Sequence, residues 1–154
     1  MKKKAIVIAG SRGIGKSIAS ELEAINFNVV STSSKDLDTS KIDDVKSFIK
    51  KNKSADVLVL NTGGPPAKNF YDISVKDWEK YFNQIFLSFV LILQGIQIKK
   101  NGYVFLISSF HIKEPNKDLI LSNTYRVALT SAFKSYGQLQ LKKNITSLNL
   151  ALGP

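Results

Sequence analysis

The sequence predicts an α/β fold, a parallel sheet of about five strands in a single domain over residues 1–154. Apolar strand-like runs alternate with helical patterns along the whole chain, which is typical of a parallel sheet with helices between its strands. The first such run leads through a glycine-rich turn into an amphipathic helix. Contents of 44% hydrophobic and 22% charged residues are ordinary for a globular protein.

Each element follows from its local pattern. Apolar runs predict strands at residues 5–9, 28–32, 56–60, 103–108 and 145–150. Helical spacing of apolar residues predicts helices at residues 14–25, 42–52, 75–97 and about 123–141. Ser74 and Asp77 are spaced as a capping box, which predicts the start of the third helix.

The glycine-rich turn predicts a nucleotide site. Its residues are Gly10, Ser11, Arg12, Gly13, Ile14 and Gly15. A strand, a tight turn and a helix in this order bring backbone N–H groups and the positive end of a helix dipole to a pyrophosphate. Glycine is needed where a Cβ would block the turn, the phosphate or the contact between helix and strand.

Composition excludes several classes of site. The chain has no cysteine, which rules out disulfides, zinc–thiolate sites and cysteine nucleophiles. His111 is its one histidine, so we expect no multi-histidine metal site. The apolar run after the N-terminal lysines is too short for a signal peptide, and the apolar segment 85–96 is too short for a membrane span. We therefore expect a cytoplasmic protein.

The net charge of +10 does not by itself indicate nucleic-acid binding. Lysines are spread through every polar segment, and the aromatic residues concentrate in one apolar helix instead of alternating with basic residues. This distribution favours solvated lysine-rich surfaces, and a nucleic-acid partner is not expected.

The predicted helix 75–97 has an unusually broad apolar surface. Along one side it places Trp78, Phe82, Ile85, Phe89, Ile92, Leu93 and Ile96, and Tyr81, Phe86 and Val90 widen it. One contact with a sheet would not bury so broad a stripe. The helix therefore lies deep in the core or pairs with another subunit.

With these elements placed, the chain resembles the short-chain dehydrogenase/reductase family, and most closely its branch of ketoacyl-carrier-protein reductases. The resemblance spans nearly all 154 residues. It rests on the glycine turn, Asp38, Asn61-Thr62-Gly63-Gly64, Trp78, Ile107-Ser108-Ser109 and Asn144-Ile145-Thr146. It implies a Rossmann-like fold with a doubly wound parallel sheet, which binds a nicotinamide dinucleotide at the carboxyl ends of its strands.

The resemblance also implies cofactor contacts outside the glycine turn. Asp38 would border the adenine, and Asn61, Thr62 and Gly63 would line the cofactor pocket. Two departures alter the framework. Ala9 stands where the family has its first glycine, so Gly10 would take the tight turn. The connection from the second strand to Asp38 is too short for the family's usual helix and strand, so we expect one edge strand to be missing or reduced to a stub.

The catalytic residues implied by the family are mostly replaced. Ser109 matches the family's serine, but its tyrosine position, thirteen residues later, is Ser122, and its lysine position is Arg126. The family's asparagine falls at Ile85. A serine hydroxyl is a much weaker acid than a tyrosine beside a lysine, whereas Arg126 could still hold ribose hydroxyls.

Two other residues could supply the proton. Tyr125 precedes Arg126 by one position, which turns it about 100° away on a helix. His111 follows Ser109 in the loop after the strand, and histidine changes charge near neutral pH. An exposed loop histidine without a catalytic role fits His111 as well.

The end of the second strand favours NADP(H) over NAD(H). An acidic residue there usually holds a ribose that lacks the 2′-phosphate. Here the segment 31–35 has no carboxylate, and its Ser33, Ser34 and Lys35 could join Arg12 around a phosphate. Solvent-facing cations are the alternative interpretation.

The sequence leaves two hypotheses for function. One is an NADP(H)-dependent oxidoreductase with an atypical site, acting on a small carbonyl compound or secondary alcohol. The other is a nucleotide-binding or partner-binding protein on the same fold with impaired chemistry. By analogy with the family we expect a homodimer or tetramer through helices 75–97 and 123–141, using Phe82, Phe86, Phe89 and Leu93. Residues 152–154 align with the turn after the family's sixth strand, and the family's substrate-covering segment has no counterpart.

Overall fold

A computed structural model describes residues 2–153, so Met1 and Pro154, the two ends of the predicted domain, lie outside the described residues. Its strands are β1 Lys4–Val7, β2 Asn28–Ser31, β3 Ser54–Leu60, β4 Gln97–Ser109 and β5 Thr146–Leu152. Its main helices are α1 Gly13–Ala24, α2 Ile42–Lys51, α3 Val75–Tyr81, α4 Ser88–Gly95 and α5 Ile120–Gln140. A π-helical segment, Phe82–Leu87, joins α3 to α4.

The five strands form one parallel sheet in the order β2-β1-β3-β4-β5. The first strand, β1, lies inside the sheet, with β2 added on one side of it and β3, β4 and β5 on the other. The direction of winding therefore reverses between β1 and β3. This confirms the predicted doubly wound parallel sheet. The segment from β2 to α2 contains no strand, so β2 is the edge that the short connection predicted.

The two faces of the sheet carry different helices. Alternate β1 residues point to opposite sides: Ile6 packs in the large core with α2, α4 and α5, and Val7 packs in a smaller core with α1. Because α1 is the main cover of its face, that face is left open toward β5. There Tyr103, Leu148, Leu150 and Leu152 remain exposed, and a groove of about 370 Å³ lies between α1 and β3–β5.

The predicted helix 75–97 is interrupted by the π segment and ends at Gly95. β4 consequently begins at Gln97 and not at residue 103; its first residues pair with β3 before an irregularity in register. The predicted capping box is present: the Ser74 hydroxyl accepts from Asp77 N, and the Asp77 carboxylate accepts from Ser74 N. The last helix starts at Ile120, three residues before its predicted start.

Much of the apolar stripe on this helix is buried within the chain. Phe89 is 1% exposed and Leu93 is 7% exposed, and both pack in the large core. The expectation that these two residues form a subunit interface is therefore wrong. Phe82, 38% exposed, stays at the surface, and Phe86 is partly buried beside it with ring centroids 5.4 Å apart.

Candidate functional site

A cleft of about 580 Å³ lies at the carboxyl ends of β1, β2 and β3. It therefore occupies the crevice where the winding reverses, which is the usual ligand site of an open parallel sheet. From the predicted cofactor set the cleft is lined by Ser11, Arg12, Gly13, Ile14, Ser33, Ser34, Asp38, Asn61, Thr62 and Gly63. Gly10, Gly15, Lys35 and Arg126 are not among its lining residues.

An alanine takes the left-handed position in the glycine turn. Ala9, with φ of 52°, takes a left-handed conformation, and Gly10 does not. Gly10 lies in the turn, as expected, and a Cβ there would collide with the side chain of Ser31. Side-chain bonds hold the alanine in place: Ala9 N donates to Thr32 Oγ1 at 3.0 Å, and Asn61 Nδ2 donates to Ala9 O at 3.3 Å. Contacts from the ends of β2 and β3 thus offset the strain that a Cβ adds there.

The other two glycines of the turn each meet a specific need. Gly13 has φ of 54°, and apart from the adjacent backbone no atom lies within 4 Å of where its Cβ would stand. A Cβ on Gly15 would collide with the carbonyl oxygen of Ala9 and stand 2.8 Å from Asn61 Nδ2. Gly15 therefore lets α1 approach the end of β1, and Gly13 leaves the cleft open at the start of the helix.

The first turn of α1 suits an anionic group. No side chain caps the helix at Arg12, and the first turn contains no acidic residue. Gly13 and Ile14, the first two residues of α1, line the cleft. Uncapped N–H groups and the positive end of the dipole meet there with no competing carboxylate, so the residues present fit the pyrophosphate of a dinucleotide.

The β2 end of the cleft contains a carboxylate interaction that the sequence analysis missed. Ser33 N and Ser33 Oγ both donate to Asp36 Oδ2, at 2.9 and 2.6 Å. These bonds lower the pKa of Asp36. Lys35, outside the cleft, donates through its backbone N to Ser33 Oγ. Since the Ser33 hydroxyl proton is already donated to Asp36, the side chains of Arg12 and Ser34 are better placed to donate to a ligand at this end.

Asp38 lies in the cleft wall but is bonded locally. Its Oδ1 accepts from Ser40 Oγ at 2.7 Å and from Ser40 N at 3.0 Å, and Lys41 lies 3.5 Å from Oδ2. The Ser40 side chain is the main cause of the lowered pKa of Asp38. The carboxylate therefore stabilises the turn before α2, and its place beside an adenine stays a prediction.

Arg126 joins the elements at the β4 side of the site. Its Nη2 donates to Thr62 O and its Nη1 donates to Ile107 O, both at 3.3 Å, and its Nε donates to Ser122 Oγ at 3.1 Å. Burial lowers the pKa of this guanidinium. All three acceptors are neutral, so Arg126 carries its charge between β3, β4 and α5 without an ion pair to any described residue.

The structure brings some of the predicted catalytic residues together. Ser122 contacts Arg126 and lies beside the cleft, since a Cβ on Gly64 would be 3.9 Å from its Oγ. Ser109 lies at the end of β4, where its Oγ accepts from His111 N at 3.2 Å. Among the described residues, no hydrogen bond joins Ser109 to Ser122 or Arg126. Ile85, at the family's asparagine position, is fully buried.

The two alternative proton donors are engaged elsewhere. Tyr125 donates its hydroxyl to Trp78 O at 2.9 Å and packs edge-on against the Trp78 ring. Burial raises the pKa of Tyr125, which makes it a weaker acid. His111 Nδ1 lies 3.1 Å from Glu114 O in the loop after β4. Neither residue lines the cleft.

Gln84 is a cleft residue that the sequence analysis missed. It lies in the π segment, and its Nε2 donates to Gly63 O at 3.1 Å and to Thr62 Oγ1 at 3.5 Å. Regular helical spacing gave no reason to select it, because the wider π turn alters which side chains face the sheet edge.

Residues 2–153 contain neither a membrane-crossing helix nor a metal-binding cluster. No helix in this part of the chain is both long and apolar enough to cross a membrane. In the same residues, no group of three or more histidine, aspartate or glutamate side chains is arranged to hold a metal ion.

Comparisons with known proteins agree with this architecture. No family model matches the chain. Over an alignment 184 positions long, the sequence is 26% identical to a Bacillus subtilis (strain 168) protein named uncharacterized oxidoreductase YvrD. The match covers 100% of this chain and 69% of that protein.

Several solved structures have a fold very similar to this one although their sequence identity to this chain is low. A blue fluorescent protein from a metagenomic library, solved with NADPH, has a TM-score of 0.89 at 19% identity; the match covers 99% of this chain and 74% of that one. A short-chain dehydrogenase/reductase of Serratia marcescens has a TM-score of 0.86 at 20% identity, covering 99% and 78%. The cleft and the sheet thus define a Rossmann-like α/β protein. The chain has the fold of the short-chain dehydrogenases/reductases, which confirms the predicted resemblance.

Proposed function

We propose that the chain is an NADP(H)-dependent oxidoreductase of the short-chain dehydrogenase/reductase type, which reduces a carbonyl group or oxidises a secondary alcohol in a small molecule. The observation that carries the proposal is the uncapped, acid-free first turn of α1 at the cleft where the sheet reverses its winding. The named oxidoreductase relative and the NADPH-bound structural neighbour support it. A cytoplasmic location and a single domain over residues 1–154 belong to the same proposal.

The proposal assigns the parts of a dinucleotide along the cleft. Arg12 and Ser34 would contact the 2′-phosphate, the turn 10–15 the pyrophosphate, and Thr62 and Gly63 the nicotinamide half. The bound nicotinamide would supply or accept the hydride. The chain would bind and orient the reactants: Ser109 the substrate oxygen and Arg126 the ribose hydroxyls.

Proton transfer is the weak part of this site. Ser122 Oγ accepts from Arg126 Nε, so its own O–H remains free to donate. A serine hydroxyl is a far weaker acid than the tyrosine it replaces, even with a cation beside it. We therefore expect slow turnover.

A second candidate function is nucleotide binding or partner binding without efficient hydride chemistry. Tyr125, the tyrosine nearest Ser122 in sequence, donates its hydroxyl to Trp78 O and has a raised pKa. This arrangement favours a chain that keeps the cofactor cleft and has lost the acid.

The deciding experiment uses the full chain. NADPH binding is measured by the change in its fluorescence, and turnover is then measured on a panel of aldehydes and ketones. Binding with turnover supports the oxidoreductase, and binding without turnover supports the second candidate. If neither NADPH nor NADH binds, both are refuted.

A further inference from the structure

Gln84 occupies an unusual position in its helix. The segment Phe82–Leu87 is π-helical, and such single wide turns inside α-helices occur frequently at functional sites. Ser88 Oγ donates to the Gln84 carbonyl oxygen at 2.9 Å, one turn later. The backbone at Gln84 is therefore held in this wide turn by a side chain on the same helix.

The side-chain amide of Gln84 has one determined orientation. Gly63 O is a backbone carbonyl oxygen and can only accept, so the atom 3.1 Å from it must be the donor Nε2. The second contact of Nε2, with Thr62 Oγ1, is longer at 3.5 Å. Gln84 Oε1 accepts from none of the described residues, and Gln84 lines the cleft. The residue thus offers an acceptor oxygen to a ligand there.

The topology places Gln84 at one particular end of the cleft. Ser33, Ser34 and Asp38 follow β2, whereas Thr62 and Gly63 follow β3, and β1 lies between these strands. Adjacent strands are about 4.8 Å apart, so the two ends are separated by roughly 10 Å. In a dinucleotide that crosses this crevice, the 2′-position of the adenosine ribose lies at the β2 end. Gln84 therefore lies toward the opposite half, the nicotinamide nucleoside.

We propose that Gln84 positions the nicotinamide half of the cofactor. Its Nε2 holds the Thr62–Gly63 backbone at the cleft wall, and its Oε1 accepts a hydrogen bond from an N–H or O–H donor of that half, the carboxamide or a ribose hydroxyl. This inference rests on the proposed function, because it requires a nicotinamide dinucleotide in the cleft.

The test compares a whole cofactor with its adenine half. Gln84→Met keeps the length and helix propensity of the side chain but removes both hydrogen-bonding atoms. Gln94→Met, on the exposed part of α4, is the matched control. Dissociation constants are measured for NADPH and for 2′,5′-ADP, which lacks the nicotinamide half. Losing one or two neutral hydrogen bonds should raise the NADPH constant about three- to tenfold for Gln84→Met and leave its 2′,5′-ADP constant unchanged.

Three results would overturn the inference. One is equal weakening of NADPH and 2′,5′-ADP, which would show a general disturbance of the cleft. The second is unchanged NADPH binding, and the third is equal weakening by Gln94→Met. If Gln84→Met does not fold, Gln84→Ala takes its place: it also removes both hydrogen-bonding atoms, and the same selective loss of NADPH binding is expected. A wild-type chain that binds no dinucleotide refutes the proposed function itself, a result distinct from the other three.

Discussion

Arg126 donates from Nε to the hydroxyl oxygen of Ser122, one helical turn earlier, at 3.1 Å. Through Nη1 and Nη2 the same guanidinium reaches backbone oxygens at the ends of β4 and β3. The two residues at the family's tyrosine and lysine positions therefore form one hydrogen-bonded unit, which Arg126 connects to the strands.

The first prediction concerns this pair. Because a serine replaces the tyrosine acid, wild-type turnover of carbonyl substrates should be about 10²–10⁴-fold below that of an ordinary reductase of the family. Ser122→Tyr combined with Arg126→Lys should recover part of the difference. The measurement is the steady-state rate of NADPH oxidation by the wild type and the double variant.

Ser109 provides the control for that gain. If its hydroxyl orients the substrate oxygen, Ser109→Ala in the double variant should abolish the recovered rate. Turnover of the unmodified chain at normal reductase rates would show that Ser122 does not mark the proton donor's position. Single substitutions of Tyr125 and His111 would then identify the donor.

The second prediction concerns cofactor choice. Arg12 lines the cleft near Ser33 and Ser34, whereas Lys35 does not. Arg12→Gln should weaken NADPH binding roughly 10- to 100-fold, the usual loss for a charge-assisted bond, and affect NADH little. Lys35→Gln removes the same charge outside the cleft and should change neither. Titrations with both cofactors check this, and equal affinities of the wild type for NADPH and NADH would refute it.

The third prediction concerns the strained turn. Ala9 has φ of 52°, a conformation that glycine adopts without the cost of a Cβ. Ala9→Gly should raise the free energy of unfolding by about 0.5–1 kcal/mol, because relieved strain exceeds the extra entropy of the unfolded chain. Ala128→Gly, at an exposed position within α5, should lower it by a similar amount. Urea unfolding measures the change in the free energy of unfolding for both variants. If Ala9→Gly lowers this free energy, the backbone at Ala9 is not strained.

The fourth prediction concerns acid stability. Lys68 Nζ donates to Asp77 Oδ2 at 2.7 Å, and this bond, followed by those from Ser74, lowers the pKa of Asp77 from 3.8 to about 2. A carboxyl whose pKa is lowered by folding stabilises the fold above its unfolded pKa and loses this contribution as the pH falls toward its folded pKa.

Asp77→Asn should therefore be less stable than the wild type near neutral pH, with the difference shrinking between about pH 4 and pH 2. Urea unfolding at a series of pH values measures it. Asp43→Asn is the control, since Asp43 is exposed and its contact with Lys46 is 3.8 Å long. A difference for Asp77→Asn that stays constant with pH contradicts the assigned ion pair.

The fifth prediction concerns assembly. We expect a homodimer or tetramer through the helical face that includes Phe82 and Phe86, since Phe82 stays 38% exposed there. Phe82→Ser should shift the mass measured by light scattering at micromolar concentration toward the monomer. Leu150→Ser, on the open face of the sheet, should not. A monomeric wild type, or a shift caused only by Leu150→Ser, would refute this interface.

Local sequence patterns predicted most of the elements and the side chains at the cleft. The order of strands and helices, the capping box at Ser74 and the glycine turn each depend on a few neighbouring residues. The π segment could not be predicted this way, because the apolar residues on both sides of it fit the regular 3.6-residue spacing of an α-helix. Gln84 was missed for that reason, and the start of β4 was placed too late.

The sequence by itself determined the strands, the helices and the parallel sheet that they form, because strand and helix periodicities are local properties. The family resemblance added the double winding, the short edge at β2 and the segments that meet at the cleft. Tertiary structure decided which residues do each task. Ala9 takes the strained turn because Thr32 and Asn61 bond its backbone from two other strands. Arg126 donates to backbone oxygens of Ile107 and Thr62, and Phe89 is buried by packing within the chain. These outcomes depend on contacts between distant segments, which no local pattern specifies.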